Sequence, residues 1–212
     1  MRRFAALFEA LDASTATGDK VEALRRYFAA APAADAAWGV YFLAGGKPRQ
    51  VVPTALLRAT AAAAAGIDDW LFDECYQAVG DLAETIAHVL PPPSRRSDQG
   101  LAHWVEQRLL PLRGLAAEDQ AARLREAFDE LDAAERFLLV KLIGGGFRVG
   151  VSRLLVQRAL ALHAGVDPKV MAQRLMGWTD GRAQASAARF QALVAAHGGA
   201  GTDAATEAGQ PY

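Results

Sequence analysis

The sequence is poor in the residues that most small-molecule chemistry uses. It has one cysteine and four histidines in 212 residues, and lysine occurs only at Lys20, Lys47, Lys141 and Lys169. Lone Cys75 excludes an internal disulfide. Without a Cys-x-x-Cys pair or a Cys/His cluster it also excludes the usual zinc spacings, and such a chain suits a reducing cytoplasm. His88, His103, His163 and His197 are scattered, with no partner four residues away and no nearby carboxylate pattern, so no metal site is expected. No apolar run reaches the 18 residues a membrane span needs. Glu9 and Asp12 interrupt what would be the apolar region of a signal peptide after Met1-Arg2-Arg3. The expectation is a protein neither secreted nor membrane-spanning. Aromatic residues make up only 8% and β-branched runs are nearly absent, which removes the usual material of strands. Charge of one sign is missing too: a formal net charge of −1 argues against a globally basic coat, so any anion binding must come from charge gathered on one face.

What is present is alanine, and a hydrophobic content of 52% that supplies an ample core. Intrinsic propensity favours helix almost everywhere. The predicted fold is all-α: a compact multi-helix domain of packed helical hairpins with an internal pseudo-two-fold repeat. Phe4, Leu7, Phe8 and Leu11 fall at helical spacing and predict a first helix over Arg2 to Asp12. Further helices are expected at Asp19 to Ala31, Asp35 to Ala44 and Pro53 to Ala65, then one capped by Asp68 and one starting at Gly80-Asp81. Pro91-Pro92-Pro93 stops the last of these. Residues 91 to 100 read as a proline-rich linker between halves of about 1–90 and 101–197. The second half predicts helices at Leu101 to Leu110, Ala116 to Leu131, Ala133 to Ile143, Ser152 to Ala164, Pro168 to Met176 and Arg182 to His197. Residues 198–212 have no apolar period and are expected to form a flexible linker.

Shifting the sequence by 99 positions superposes two segments. Arg49 falls on Arg148, Gly45-Gly46 on Gly144-Gly145, Val52 on Val151, Pro53 on Ser152, and Gly66-Ile67-Asp68 on Gly165-Val166-Asp167. Any two helical hairpins share a glycine stop and a Pro or Ser start. An Arg four residues past the first matched glycine, and an equal length of following helix, are less general. Glycine lets the backbone approach a phosphate, the next helix offers free N–H groups and a partial positive charge, and Ser152 adds a hydroxyl. Arg49 and Arg148 have the chemistry to pair with a phosphate or enter a minor groove, although exposed Arg beside a turn is also commonplace. A duplicated hairpin suits a two-stranded, quasi-symmetric partner such as duplex nucleic acid.

Charge is segregated along the chain. From Ala36 to Ile67 Lys47, Arg49 and Arg58 meet no acid, and from Lys141 to Arg174 six bases face only Asp167. Ile67 to Leu90 holds Asp68, Asp69, Asp73, Glu74, Asp81 and Glu84 with no Lys or Arg. The carboxylates lack calcium-loop spacing and read as cap and solvated face. Catalytic motifs fail: Gly145 to Ser152 has Val151 where a phosphate-binding loop has lysine, and Gly150-Val151-Ser152-Arg153-Leu154 lacks the closing glycine of a nucleophile elbow, leaving Ser152 as a cap. Trp38, Trp70, Trp104 and Trp178 are expected in the core rather than as base-stacking platforms.

The run Lys141-Leu-Ile-Gly-Gly-Gly-Phe-Arg-Val-Gly-Val-Ser152 resembles the signature near the end of the N-terminal DNA-binding domain of bacterial ATP-dependent DNA ligases. Phe4 to Phe8, Val40 to Arg49 and Ala172 to Gly177 support the resemblance in family order. It implies an all-helical, non-catalytic domain that grips nicked duplex DNA through the minor groove and backbone, in repair or replication. The ligase's catalytic domain is then a partner in cis, and the chain is a monomer in the bacterial cytoplasm, at the nucleoid. It implies DNA contacts at Gly45, Gly46, Lys47, Arg49 and Thr54 in one turn and at Gly145, Gly146, Arg148, Gly150, Ser152 and Arg153 in the other. Ser14, Thr15, Thr17 and Lys20 would form a third region, where Gly18-Asp19 departs from the family's basic pattern. Family chemistry needs a nucleophilic lysine in Lys-x-Asp-Gly, a context none of the four lysines has. No cofactor is expected for this chain, ATP and magnesium belonging to the full-length ligase, and Gly209 to Tyr212 looks like the link toward a catalytic domain. The alternative is a helical-repeat scaffold that binds a protein partner through an exposed apolar groove.

Overall fold

The computed structural model describes residues 1–47, 51–144, 149–180 and 185–195. The described residues form α-helices without strands: α1 (Arg2–Asp12), α2 (Thr17–Ala30), α3 (Ala33–Leu43), α4 (Thr54–Ala65), α5 (Asp69–Val79), α6 (Leu82–Val89), α7 (Leu101–His103), α8 (Ala117–Glu130), α9 (Ala133–Gly144), α10 (Arg153–Ala164), α11 (Pro168–Arg174) and α12 (Ala187–Val194). After α7 the chain continues through a π-helical turn, Trp104–Leu109, and a 3-10 turn, Leu110–Leu112. The expected regular helix over Leu101 to Leu110 is thus wound unevenly. Pro111, which has no N–H to give, sits in the tightened turn.

Local sequence explains most ends. Asp132 and Glu135 form a reciprocal capping box at the start of α9: Glu135 N donates to Asp132 Oδ1 at 3.0 Å and Asp132 N to Glu135 Oε2 at 3.3 Å. The Asp81 carboxylate accepts from the backbone of Ala83 and Glu84, and Ser152, Asp167 and Ser186 cap α10, α11 and α12. Asp68 occupies the cap position of α5 without a side-chain cap bond. Helix α2 starts at Thr17, two residues before the expected Asp19, because Ser14 Oγ accepts from Ala16 N at 3.1 Å and closes the preceding turn. Helix α11 stops at Arg174, and Ala185 and Ser186 lie outside α12, whose expected start and end fall outside the described residues.

Helices α4 and α10 are each 12 residues long and end at Gly66 (φ +68°) and Gly165 (φ +65°). The following residue returns a hydrogen bond in both: Ile67 N to Ala62 O at 3.2 Å and Val166 N to Ala161 O at 3.1 Å. Packing also recurs in pairs. Helix α2 lies on α10 and α8 on α4, while α3 lies on α12 and α9 on α6. Helices α2, α3, α4 and α6 therefore each pack on a helix that follows the proline-rich segment, while α5 packs on its neighbours α4 and α6. The apolar faces merge into one core that contains Phe4, Leu24, Phe42, Leu57, Phe72, Trp104, Phe128, Leu160 and Trp178. Aromatic pairs link the helices: Phe8 meets Phe137 edge-on at 5.3 Å and joins α1 to α9, and Phe28 lies tilted against Phe190 at 6.1 Å and joins α2 to α12.

The segment 91–100 has no regular structure, yet it is tied to the end of α8. Ser94 N donates to Asp129 Oδ1 at 2.9 Å, and Ser97 N to Glu130 O at 3.1 Å. The buried Arg136 guanidinium donates to Phe128 O at 2.7 Å and Pro91 O at 2.8 Å, so one side chain holds both strands of the chain there. Trp38, Trp104 and Trp178 are core residues, as expected. Trp70 is not: it is 65% exposed, because α5 turns only Phe72 inward.

Candidate nucleic-acid interface

Arg49 and Arg148, with Gly145 and Gly146, lie outside the described residues. The residues on either side of them are described. At the first turn, α3 closes with Gly45 at φ +99°, Gly45 N bonded to Phe42 O at 3.1 Å and Gly46 N to Tyr41 O at 2.8 Å. A β-carbon at Gly46 would come within 2.6 Å of Tyr41 O and 2.7 Å of its ring, so the tight turn admits only glycine there. The Tyr41 hydroxyl then donates to Lys47 O at 3.2 Å, fixing the chain as it leaves. Burial raises the Tyr41 pKa, which keeps the phenol a donor. Gly46 is buried, while Gly45, Lys47 and Thr54, the first residue of α4, are exposed.

The second turn gains a partner from far away. Lys20, in the first turn of α2, donates from Nζ to Gly150 O at 3.0 Å, two residues before the Ser152 cap of α10. Gly150 has φ +61°, and a β-carbon there would sit 3.0 Å from the ammonium, so glycine leaves the space Lys20 uses. The N-termini of α2 and α10 therefore lie side by side, with their free N–H groups and partial positive charges joined by a lysine. Ser14 organises this edge by bonding Asp19 Oδ2 at 3.2 Å, and Thr15 and Thr17 are exposed beside it. Thus the structure brings Lys20 and the adjoining Ser14, Thr15 and Thr17 together with Gly150 and Ser152.

A similar junction, without the charge, lies at the start of α4. Gln120, in the first turn of α8, donates from Nε2 to Val51 O at 3.3 Å, two residues before the Pro53 cap of α4. Gln120 is buried, and Glu118 and Asp119 lie in the same first turn. The two junctions share geometry and differ in sign.

Arg153 is exposed and its guanidinium donates to Leu175 O at 2.8 Å, clamping the chain after α11. Arg174 is spent in the same way on Leu193 O at 2.8 Å and Ala195 O at 2.7 Å. The carbonyl acceptor positions the Arg153 guanidinium and leaves its charge uncancelled. Two other bases are neutralised: Arg58 pairs with Asp73 and Lys141 with Asp81. Folding thus brings acids of the segment 67–90, which has no Lys or Arg, against bases of the two base-rich segments, so separation along the chain is partly undone in space. The Asp81 pKa is lowered; burial opposes this, and the Lys141 bond and the Glu84 and Ala83 N–H groups outweigh it. Exposed Arg158 and Lys169, which sequence reasoning counted as bases without singling out as contacts, carry no ion pair among the described residues. Their signal was the excess of Arg and Lys over acids between 141 and 174.

Among the described residues no group of three or more His, Cys, Asp or Glu side chains is placed to hold a metal ion, and no helix is long and apolar enough to cross a membrane. His163 stacks on Phe190 at 6.4 Å instead of ligating, and Ser152 Oγ accepts from Leu155 N at 3.3 Å as a cap. A comparison with curated proteins finds no match. The model of one protein family does match: DNA ligase N terminus, over residues 1–161, a span that includes α1 to α9, both junctions and most of α10. With its all-helical core and its paired helix N-termini, this chain belongs to the family of DNA ligase N-terminal domains.

Proposed function

We propose that this domain is the non-catalytic, DNA-gripping part of an ATP-dependent DNA ligase and holds nicked duplex by backbone and minor-groove contacts without reading sequence. The observation that carries the reading is the Lys20 to Gly150 bond, which assembles two helix N-termini, a glycine turn and a lysine on one edge. A phosphate placed there meets free N–H donors and positive charge together. Exposed Lys47, Arg158 and Lys169 supply further positive charge, and Arg49 and Arg148 are the remaining phosphate contacts of this reading. The 99-residue spacing suits contacts with two stretches of duplex related by a pseudo-two-fold axis.

In this reading ATP and magnesium serve the catalytic domain, which is the partner in cis, and the cellular site is the bacterial nucleoid. Residues 1–197 form the DNA-binding domain and 198–212 the connection onward. The test is binding of a labelled nicked duplex against salt. With ~5 phosphate contacts, log affinity falls with log salt at a slope of about −4 to −5. Absence of binding at low salt, or affinity insensitive to salt, overturns the reading.

A further inference from the structure

We propose that helix α5 is a docking face for a protein segment that combines lysine or arginine with a large apolar anchor. The helix attaches to the body through Phe72 alone among its fully buried side chains. At 100° per residue, Trp70, Leu71, Glu74 and Ala78 project on the side away from Phe72. Trp70 is 65% exposed and Leu71 37%, so the outward face presents an aromatic and an aliphatic side chain with an acid between them. Tryptophan is the residue type most enriched where binding energy concentrates, because it offers a large rigid surface at small entropic cost.

The charge around Trp70 decides the partner. Asp68, Asp69 and Glu74 are exposed and carry no ion pair among the described residues, while Asp73 is committed to Arg58 and Asp81 to Lys141. No Lys or Arg lies between residues 67 and 90. A nucleic acid backbone is repelled here, so Trp70 is no base-stacking platform, and the complementary occupant is cationic. An amphipathic basic helix meets both demands: its apolar stripe covers Trp70 and Leu71, and its flanking cations meet Asp68, Asp69 and Glu74. The proposal is independent of the DNA-gripping reading, since it concerns a face of opposite charge.

The probe is a synthetic, fluorescently labelled helix of leucine and lysine in heptad spacing, with a leucine and glutamate peptide of the same pattern as control. Titrated into the 212-residue chain, the basic peptide is expected to saturate and to shift the exposed part of the tryptophan emission to the blue. Trp70→Ala should weaken peptide anisotropy binding by about tenfold or more, and Glu74→Lys by about three- to tenfold, with affinity for nicked duplex within about twofold of the parent. Equal binding of the acidic peptide, unchanged binding by Trp70→Ala, or displacement of the peptide by nicked duplex overturns the proposal. Sedimentation showing self-association that Trp70→Ala abolishes also overturns it, and assigns the face to a second copy of the chain.

Discussion

Lys20 Nζ and Gly150 O are 130 residues apart in the chain and 3.0 Å apart in the fold. Gln120 and Val51 make the equivalent bond at 3.3 Å, so the side chain in the first turn of one helix holds the entry to another in both places. The structural task is common to the two junctions, and the charge is carried by Lys20 only. This separation makes the role of Lys20 testable.

Lys20→Gln imitates the Gln120 junction and removes the charge. Thermal unfolding is expected to change by less than ~1 kcal/mol, since the donor to Gly150 is retained at a partly exposed site. Affinity for nicked duplex should fall about three- to tenfold, and the salt slope should become shallower by about 1. Parent-like binding with an unchanged slope would show that Lys20 touches no phosphate.

The first glycine turn separates two backbone effects. Gly45→Ala forces a side chain into φ +99° with open space around it, and should cost about 1 kcal/mol. Gly46→Ala drives a β-carbon to 2.6 Å from Tyr41 O, a backbone atom that cannot rotate away, and should cost about 1–3 kcal/mol or more. Denaturant unfolding of the two variants gives the order; a harmless Gly46→Ala would mean the turn opens readily.

Arg136 serves as an internal tie between the end of α8 and residues 90–91. Arg136→Met keeps the apolar stem and leaves buried carbonyls without a donor, for an expected loss of roughly 2–4 kcal/mol. Hydrogen exchange should rise at Arg95 and Ser97, whose N–H groups bond the end of α8. Unchanged exchange there would show that the Ser94 to Asp129 bonds suffice.

Asp81 links acid stability to the Lys141 pair. Its folded pKa lies below the ordinary value of an aspartate carboxyl, so its contribution is fully present above that ordinary value and is lost as pH falls through the lower, folded one. Lys141→Met should remove most of this dependence while the Ala83 and Glu84 N–H bonds remain. Comparing unfolding midpoints between about pH 2 and pH 6 checks it; identical acid limbs in parent and variant would place the effect on other carboxylates.

The fold class was legible in the sequence because its determinants are local. Phe4, Leu7, Phe8 and Leu11 mark one stripe of a helix, and α1 occupies Arg2–Asp12 as that stripe predicts. Gly66 and Gly165 end their helices through their own backbone freedom, and Ser152 and Asp167 start theirs through their own oxygens. Glycine turns, caps and the stretch-by-stretch charge excess are likewise short-range facts. Where each apolar stripe goes is not. A helical period says that a face is buried and leaves its partner unstated, so the crossing of α2 onto α10 and α4 onto α8 belongs to the tertiary structure alone. Helix packing brings Lys20 to Gly150 where α2 meets α10, commits Arg153 to Leu175 O after α11, and cancels Arg58 where α4 meets α5 and Lys141 where α9 meets the start of α6, against acids from a segment that reads as uniformly negative. It also leaves Trp70 outside, since α5 had room to bury Phe72 and nothing to cover its other side. Composition and period determined that this chain is a bundle of helices with two glycine turns; which charges stay available to a partner was decided by packing, because ion pairs and carbonyl clamps form between residues that only the folded core makes neighbours.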